Sequence, residues 1–495
     1  MKSQKFDLSQ TGKFSSFFLD YLSGKDQLKE FAGLQPSIES FETQLASRQF
    51  PQHSREVLVA TLESQYGSLK KIPAPVSDNI EALRHNTTFT ITTGHQLNLF
   101  TGPMYVIYKL VTIIRMCQEL KKTYPTYDFV PVYWMASEDH DFEEIDHFNF
   151  NGRTYRWDTP QKGAVGRFEL KDIGPLLNEL SAIPAFFQEA YGNKKWTLAD
   201  AVRSYMNALF GEYGLVVLDP DNHQQKVLFQ HAMEEDIINN SLAPEVIKTT
   251  EKLEALGYKT QISPREINFF YLGDQLRSRI EKEVEVYKIV DTDLIFTESE
   301  IKQLITEKPE CLSPNVVLRP LYQETILPNL AYIGGPSELI YWLQLKGVFI
   351  KMGVPFPILL PRNFGMVVPA YVERKRAKTH IPLEQFFKSQ EALIQEKVKQ
   401  ESQHTLSLEP YKQELEALFR EISQQAGAID QTLVAHVDAQ RQRGSNAINT
   451  IEKKFLRAEK RNHATLSHQI EAIYNELFPG GGLQERHDNL LNFYQ

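Results

Sequence analysis

Cysteine is nearly missing from this chain: there are 2, Cys117 and Cys311, in no CxxC spacing, which excludes a disulfide framework and a cysteine-built zinc site. No uncharged apolar run reaches membrane-spanning length, and the opening residues Met1-Lys-Ser-Gln-Lys-Phe-Asp7 lack a signal-peptide core. Positive charge is not in excess either. A formal net charge of −9 argues against nucleic-acid or membrane partners, while leaving room for a local basic pocket. The GxGxxG, P-loop and GxSxG patterns do not support a ready-made nucleotide or hydrolase assignment. These absences imply a cytoplasmic protein that handles small molecules.

What is present fills more than one core, since 495 residues at 42% hydrophobic imply two or more structural units. Residues 89–145 organise the rest. Phe89-Thr-Ile-Thr-Thr93 has strand character, and Gly94-His-Gln-Leu-Asn-Leu-Phe-Thr-Gly-Pro103 leads into a helix with Pro103 at its first position. Ile107, Leu110, Val111, Ile114 and Cys117 form its core stripe, with Tyr105, Tyr108, Lys109 and Thr112 turned the other way. Val130-Pro-Val-Tyr-Trp134 is the next strand, with Pro131 expected near its start or at an irregularity. Ala136-Ser-Glu-Asp-His-Asp-Phe-Glu-Glu144 follows at that strand's C-terminal end, where open α/β sheets bind ligands.

Residues 1–85 read as a helical segment without chemistry, and 86–150 as the first part of a Rossmann-like, parallel-sheet α/β core. Short alternating strands mark an insertion over 151–196. The core resumes over 197–237, with a helix from Leu198 to Phe210 and a buried strand from Gly214 that ends in Asp219-Pro-Asp221. A second insertion covers 238–315. The core returns over 316–370, where Tyr332-Ile-Gly-Gly-Pro-Ser-Glu338 opens a helix and a strand from Pro355 to Leu360 is capped by Pro361-Arg-Asn363. Four apolar runs, ending in Gly94-His-Gln, Ser137-Glu-Asp-His-Asp, Asp219-Pro-Asp and Arg362-Asn, are what a parallel sheet produces. Residues 371–478 read as a long antiparallel coiled coil. Leu415, Leu418 and Ile422 begin one series, Ile448, Ile451, Phe455 and Ala458 another, and Ile470, Ile473 and Leu477 continue it, with Asn462 and Gln469 on the seam. Residues 479–495 form a tail. An apolar seam of this length predicts a homodimer through the arm.

Gly94 to Pro103 is an anion cradle at a helix N-terminus or a plain turn; three hydrogen-bonding side chains, His95, Gln96 and Asn98, exceed what turning needs and favour the cradle. Thr101, Gly102 and Tyr105 belong to the same loop and helix start, and Lys109 is either a phosphate partner over the loop or a solvated charge. The carboxylates from Glu138 to Glu144 suit a divalent metal, acid and base work, or the grip of a substrate amine. Consecutive residues cannot all face one point, so amine binding is favoured and no metal is assigned. Gly334-Gly-Pro-Ser-Glu338 is a ligand loop or a helix start, and Trp134 and Trp342 read as core. The catalytic candidates are His95, Asp139, His140 and Asp141. His95 would donate to developing negative charge, and Asp139 or Asp141 would position an amine and take its proton. The binding candidates are Gly94, Gln96, Asn98, Thr101, Gly102, Tyr105, Lys109, Ser137, Glu138, Asp219, Gly334, Gly335, Glu338, Arg362 and Asn363.

Thr93-Gly-His-Gln-Leu-Asn-Leu-Phe-Thr-Gly-Pro103, Tyr108-Lys109, Pro131-Val-Tyr-Trp-Met-Ala-Ser-Glu-Asp-His-Asp-Phe-Glu-Glu144, Tyr332 to Glu338 with Tyr341-Trp342, and Gly481-Gly-Leu-Gln-Glu-Arg486 together resemble the bacillithiol biosynthesis cysteine-adding enzyme family. The resemblance runs from about Thr90 to Arg486. It implies a Rossmann-like core with two connecting-peptide insertions similar to those of class I aminoacyl-tRNA synthetases, and a coiled coil used in dimerisation. It also implies the joining of L-cysteine to glucosaminyl-malate, which needs an activated carboxylate and hence ATP or another nucleotide. By that analogy Gly94-His-Gln stands in place of the HIGH motif, with one His kept, and Pro361-Arg-Asn in place of the KMSKS loop, with Arg362 its only nearby cation. The competing readings are a metal-dependent hydrolase using Glu138 to Asp141, and a coiled-coil scaffold carrying a vestigial nucleotide domain.

Overall fold

The structure is a computed structural model that describes residues 3–180 and 183–494. They fall into an α/β unit, residues 14–365 with 485–494, and a helical unit, residues 3–13 with 366–484.

The α/β unit is built on five parallel strands: β1 (Thr88–His95), β2 (Asp128–Met135), β3 (Val216–Leu218), β4 (Asn329–Gly334) and β5 (Ile358–Pro361). Their order is β5-β4-β1-β2-β3, so the direction of winding reverses between β1 and β4. Ligands bind at the carboxyl ends of the strands at such a switch point. The strands are covered on both faces and read accordingly as continuous apolar runs. β1 carries buried threonines, and three of them are satisfied: Thr90 and Thr92 donate to Asn329 Oδ1 at 3.1 and 2.8 Å, and Thr93 donates to the Ile333 carbonyl at 2.7 Å, while the Thr88 hydroxyl has no partner among the described residues. Pro131 sits neither at the start of β2 nor at an irregularity, because β1 pairs across it in unbroken register. β3 reaches only Val132 to Trp134, so on that side of β2 Pro131 has no partner strand.

Helix α1 (Met104–Thr123) connects β1 to β2, with Pro103 as its cap rather than its first residue. Its expected stripe holds except at Val111, which is 39% exposed, while Lys109 and Thr112 are buried. The face read as outward is therefore covered too. Helix α2 (Leu198–Phe210) starts at a Thr197–Asp200 capping box. Residues 14–85 belong to the same body as the sheet. The Tyr21 hydroxyl donates to Leu359 O at 2.7 Å, the Val217 N–H donates to the Tyr66 hydroxyl at 2.8 Å, and buried Arg48 donates to the carbonyls of Glu324, Leu327 and Asn329.

The first insertion has one hairpin, His147–Phe150 with Arg153–Arg156. Beyond it come 3-10 turns at Val165–Arg167 and Leu170–Asp172, where a second short strand was expected, and then the helices Gly174–Glu179 and Ala185–Gly192. The second insertion is helix Ala243–Ala255 followed by a five-stranded antiparallel sheet between Phe269 and Pro314.

In the helical unit, Ala370–Thr379, Gln390–Glu401 and Ala464–Leu477 enclose a small core of Val372, Phe386, Leu393, Ile470, Ile473 and Leu477. The antiparallel pair proper is Glu409–Ile429 with Thr432–Asn462, shorter than the range read from sequence. A Cβ at Gly444 would be 3.1 Å from Leu415, and Arg441–Glu416 and Lys412–Glu452 ion pairs lace the two helices. Asn462 and Gln469 are exposed rather than on the seam. Leu418, Ile422, Ile451 and Phe455 also remain exposed. No described helix is long and apolar enough to cross a membrane.

Candidate active site

β1 ends at Gly94-His95. A Cβ at Gly94 would stand 3.3 Å from Arg319 Nη1 and 3.5 Å from the Tyr332 hydroxyl, so glycine lets both close on the strand end. Enclosure, reinforced by the Lys109 cation, pulls the His95 imidazole down to about 3 and leaves it neutral at physiological pH. Its Nε2 lies 3.3 Å from the Tyr105 hydroxyl, and burial pushes that phenol up to about 12.

Lys109 is not the solvated charge that was one of its two readings, and it lines the cavity described below. Its Nζ is buried, donates to Gly94 O at 2.9 Å and pairs with Glu338 at 2.6 Å. Glu338 also accepts from the Tyr332 hydroxyl and the Gly335 N–H, each at 2.8 Å. Burial alone would raise this carboxyl, but Lys109 and these donors hold it at about 2. The Gly334-Gly335 turn thus begins helix α3 (Pro336–Leu343) and also builds the site.

The residues after β2 diverge, as consecutive side chains must. Ser137 Oγ donates to Asp219, while Glu138 pairs with fully buried Lys226, and burial pushes the Glu138 carboxyl up to about 7 despite that cation. Asp139 accepts from Gln96 Nε2 at 3.0 Å and from the His140 N–H at 2.8 Å. Burial opposes its ionisation, but its hydrogen bonds with His140 and Gln96 and the Arg277 guanidinium, 3.7 Å away, hold it well below the usual carboxylate range. His140 meets Arg277 at 2.8 Å, and neither His140 nor Asp141 lines the cavity. Among the described residues no group of His, Cys, Asp and Glu side chains is placed to hold a metal ion.

Several candidates turn out to hold loops in place. Asn98, Thr101 and Gly102 form a strained turn: Gly102 has φ +64°, and a Cβ there would be 2.4 Å from Asn98 Cβ. The carbonyls of Phe100 and Gly102 accept from Asn489 Nδ2 at 2.8 Å each, and the Met104 N–H donates to Asp488 O at 2.8 Å. The first N–H of α1 is therefore taken by the chain's own C-terminal segment, while Gly94, His95 and Gln96 of the same loop face the cavity described below. Asp219 lies behind Ser137, outside the cavity lining, with burial raising its carboxyl to about 6. Arg362 lines the cavity, but its charge is committed to buried Glu485 at 2.5 Å; Asn363 and Gly334 lie outside the lining.

The strand ends and the second insertion enclose one cavity of about 400 Å³, within the range of small-molecule sites. Gly94, His95, Gln96, Tyr105, Lys109, Ser137, Glu138, Asp139, Gly335, Glu338 and Arg362 line it, joined by Arg277, Arg319, Tyr332, Tyr341 and Arg486. Of this second group the sequence marks Tyr332, Tyr341 and Arg486, through the motifs that carry the resemblance, but it gives none of the three arginines a role; no local pattern marks a cation delivered from another part of the fold. Five cations face three carboxylates in the cavity wall, in a chain whose net charge is −9.

Two family models cover this chain: the Bacillithiol biosynthesis BshC N-terminal Rossmann-like domain over residues 1–363, and the BshC C-terminal coiled-coil domain over residues 365–495. The chain belongs to the BshC family. A relative from Flavobacterium psychrophilum, named as a candidate cysteine ligase BshC, is 41% identical over 100% of this chain and 95% of its own length. Relatives of the same name from Cytophaga hutchinsonii and Flavobacterium johnsoniae are each 39% identical, over 99% and 98% of this chain and 94% and 93% of theirs. The border between the two BshC models falls beside Gly365, where the chain leaves the α/β unit.

Proposed function

We propose that the chain is a ligase of bacillithiol biosynthesis that joins the carboxyl of L-cysteine to the amine of glucosaminyl-malate, with the carboxylate activated by ATP. The observation that carries this reading is the cavity at the parallel strand ends, where surplus positive charge, a neutral imidazole and an ionised carboxylate converge. An amide-forming enzyme has to hold anionic reactants, stabilise a developing oxyanion and receive a proton from the attacking amine. His95 donates through its neutral ring to the oxyanion. Asp139, kept ionised by its hydrogen bonds and by Arg277, orients the amine and takes its proton.

ATP would supply the leaving group that a free carboxylate lacks. The first N–H of α1 is occupied by Asp488 O and Arg362 is neutralised by Glu485, so neither the loop before α1 nor Pro361-Arg-Asn363 supports a synthetase-like phosphate grip. Side-chain cations of the cavity are the groups that fit phosphates. The reading includes a cytoplasmic enzyme and a homodimer through the helical arm. Dispersal of the acidic cluster, with Glu138 on Lys226, Asp139 beside Arg277 and Asp141 outside, gives no support to a metal-dependent hydrolase.

The test is to incubate purified protein with cysteine, glucosaminyl-malate and ATP, and to follow products by mass spectrometry. Bacillithiol together with AMP or ADP is the expected result. Absence of bacillithiol under saturating substrates overturns the reading.

A further inference from the structure

Three cavity-wall cations are ion-paired: Lys109 with Glu338, Arg277 with Asp139 and Arg362 with Glu485. Arg319 and Arg486 form no ion pair among the described residues. Arg319 donates only to neutral groups, Gln323 Oε1 and the Tyr341 hydroxyl, each at 3.1 Å, and its guanidinium lies over the Tyr332 and Trp342 rings at 5.7 and 5.9 Å. Glu338 is within its electrostatic reach, but that carboxylate is engaged by Lys109, Tyr332 and Gly335. The cation is thus fixed in direction by aromatic faces and hydrogen bonds while its charge stays uncompensated. Arg486 is exposed, and the segment carrying it is pinned on both sides: Glu485 bonds Arg362 and the Gly365 N–H, and Asn489 bonds the loop before α1. One guanidinium fixed in direction, Arg319, and a second, Arg486, carried to the same small cavity by a pinned segment, both without an ion pair among the described residues, call for a ligand with two anionic groups.

We propose that Arg319 and Arg486 are the specificity-determining residues for the acceptor and hold the two malyl carboxylates of glucosaminyl-malate. The assignment rests on the ligase reading above. Those carboxylates are unchanged by the reaction, so they need a permanent partner, whereas the cysteine carboxylate is consumed. Phosphates of the nucleotide share the same chemistry, and the test separates the two sources.

Binding of glucosaminyl-malate and of its dimethyl ester is measured by calorimetry without ATP, alongside the KM for each substrate, in wild type, Arg319→Gln, Arg486→Gln and an Arg115→Gln control on the exposed face of α1. Each cavity variant is expected to lose about ten- to a hundredfold in affinity for the diacid. Affinity for the diester and the KM for ATP should stay unchanged, and the control should match wild type. Arg486→Gln alters an exposed side chain without bonded partners among the described residues, so it reports even if Arg319→Gln fails to fold. A raised KM for ATP with unchanged acceptor affinity overturns the assignment in favour of phosphate binding. Wild-type binding of the diacid with no loss in Arg486→Gln overturns it while leaving the ligase reading intact. Wild type that binds neither form removes both.

Discussion

His95 and Asp139 illustrate how the cavity sets protonation states that sequence alone does not reveal. Because enclosure holds His95 near 3, it does not titrate between pH 5 and 8. His95→Gln is accordingly expected to lower turnover about a hundredfold while leaving the shape of the pH–rate profile in that range unchanged; loss of a limb would make His95 a proton carrier instead of a donor. Asp139→Asn should cost a similar factor, whereas Asp141→Asn should stay near wild type, since Asp141 is outside the lining. The buried Lys109–Glu338 pair gives a stability prediction. The Glu338 carboxyl is depressed from 4.5 to about 2 in the fold, so its contribution is present above pH 4.5 and is lost as pH falls towards 2. Glu338→Gln strands a buried cation and should cost about 3–5 kcal/mol near neutrality. In urea titrations its deficit against wild type should shrink as the pH drops below 4.5; a constant deficit would show that the pair is not the cause.

At the scale of elements, the turn before α1 is a set piece whose strain is held from outside. Gly102→Ala adds a Cβ 2.4 Å from Asn98 Cβ at a positive φ and should destabilise by more than about 1 kcal/mol. Asn489→Ala leaves two buried carbonyls unpaired and should cost about 1–3 kcal/mol. Thermal unfolding measures both, and a wild-type melting point in either would mean that the loop relaxes freely. The strands and their connecting helices were legible in the sequence because a buried parallel strand must read as an apolar run, and because glycine and proline punctuate its ends. The role of the loop was not legible. Asn98, Thr101 and Gly102 look like part of a ligand cradle, and nothing local shows that Asn489, 389 residues from Phe100 in sequence, bonds the carbonyls of this turn. The burial of Lys109 was not legible for the same reason, as its partner Glu338 is 229 residues away. Arg277 and Arg319 carry no local signal, and Arg486 is marked only by the motif in the tail, without a role.

For the whole molecule, the exposed residues Leu418, Ile422, Ile451 and Phe455 leave an apolar face on the helical pair, and a homodimer is the expected state. Light scattering at micromolar concentration should give twice the chain mass, falling to one with Phe455→Glu; a monomeric wild type would refute it. The α/β unit is interrupted between Gly365 and Glu485, whose N–H and carboxylate meet at 3.0 Å. Everything between those two residues is synthesised before the segment that bonds Arg362, pins the turn before α1 and brings Arg486 to the cavity. At about 5–20 residues per second, a ribosome needs on the order of ten seconds to cross that interval. Throughout that time the nascent α/β unit lacks part of its own cavity wall, and the cavity is complete only once translation has passed residue 489.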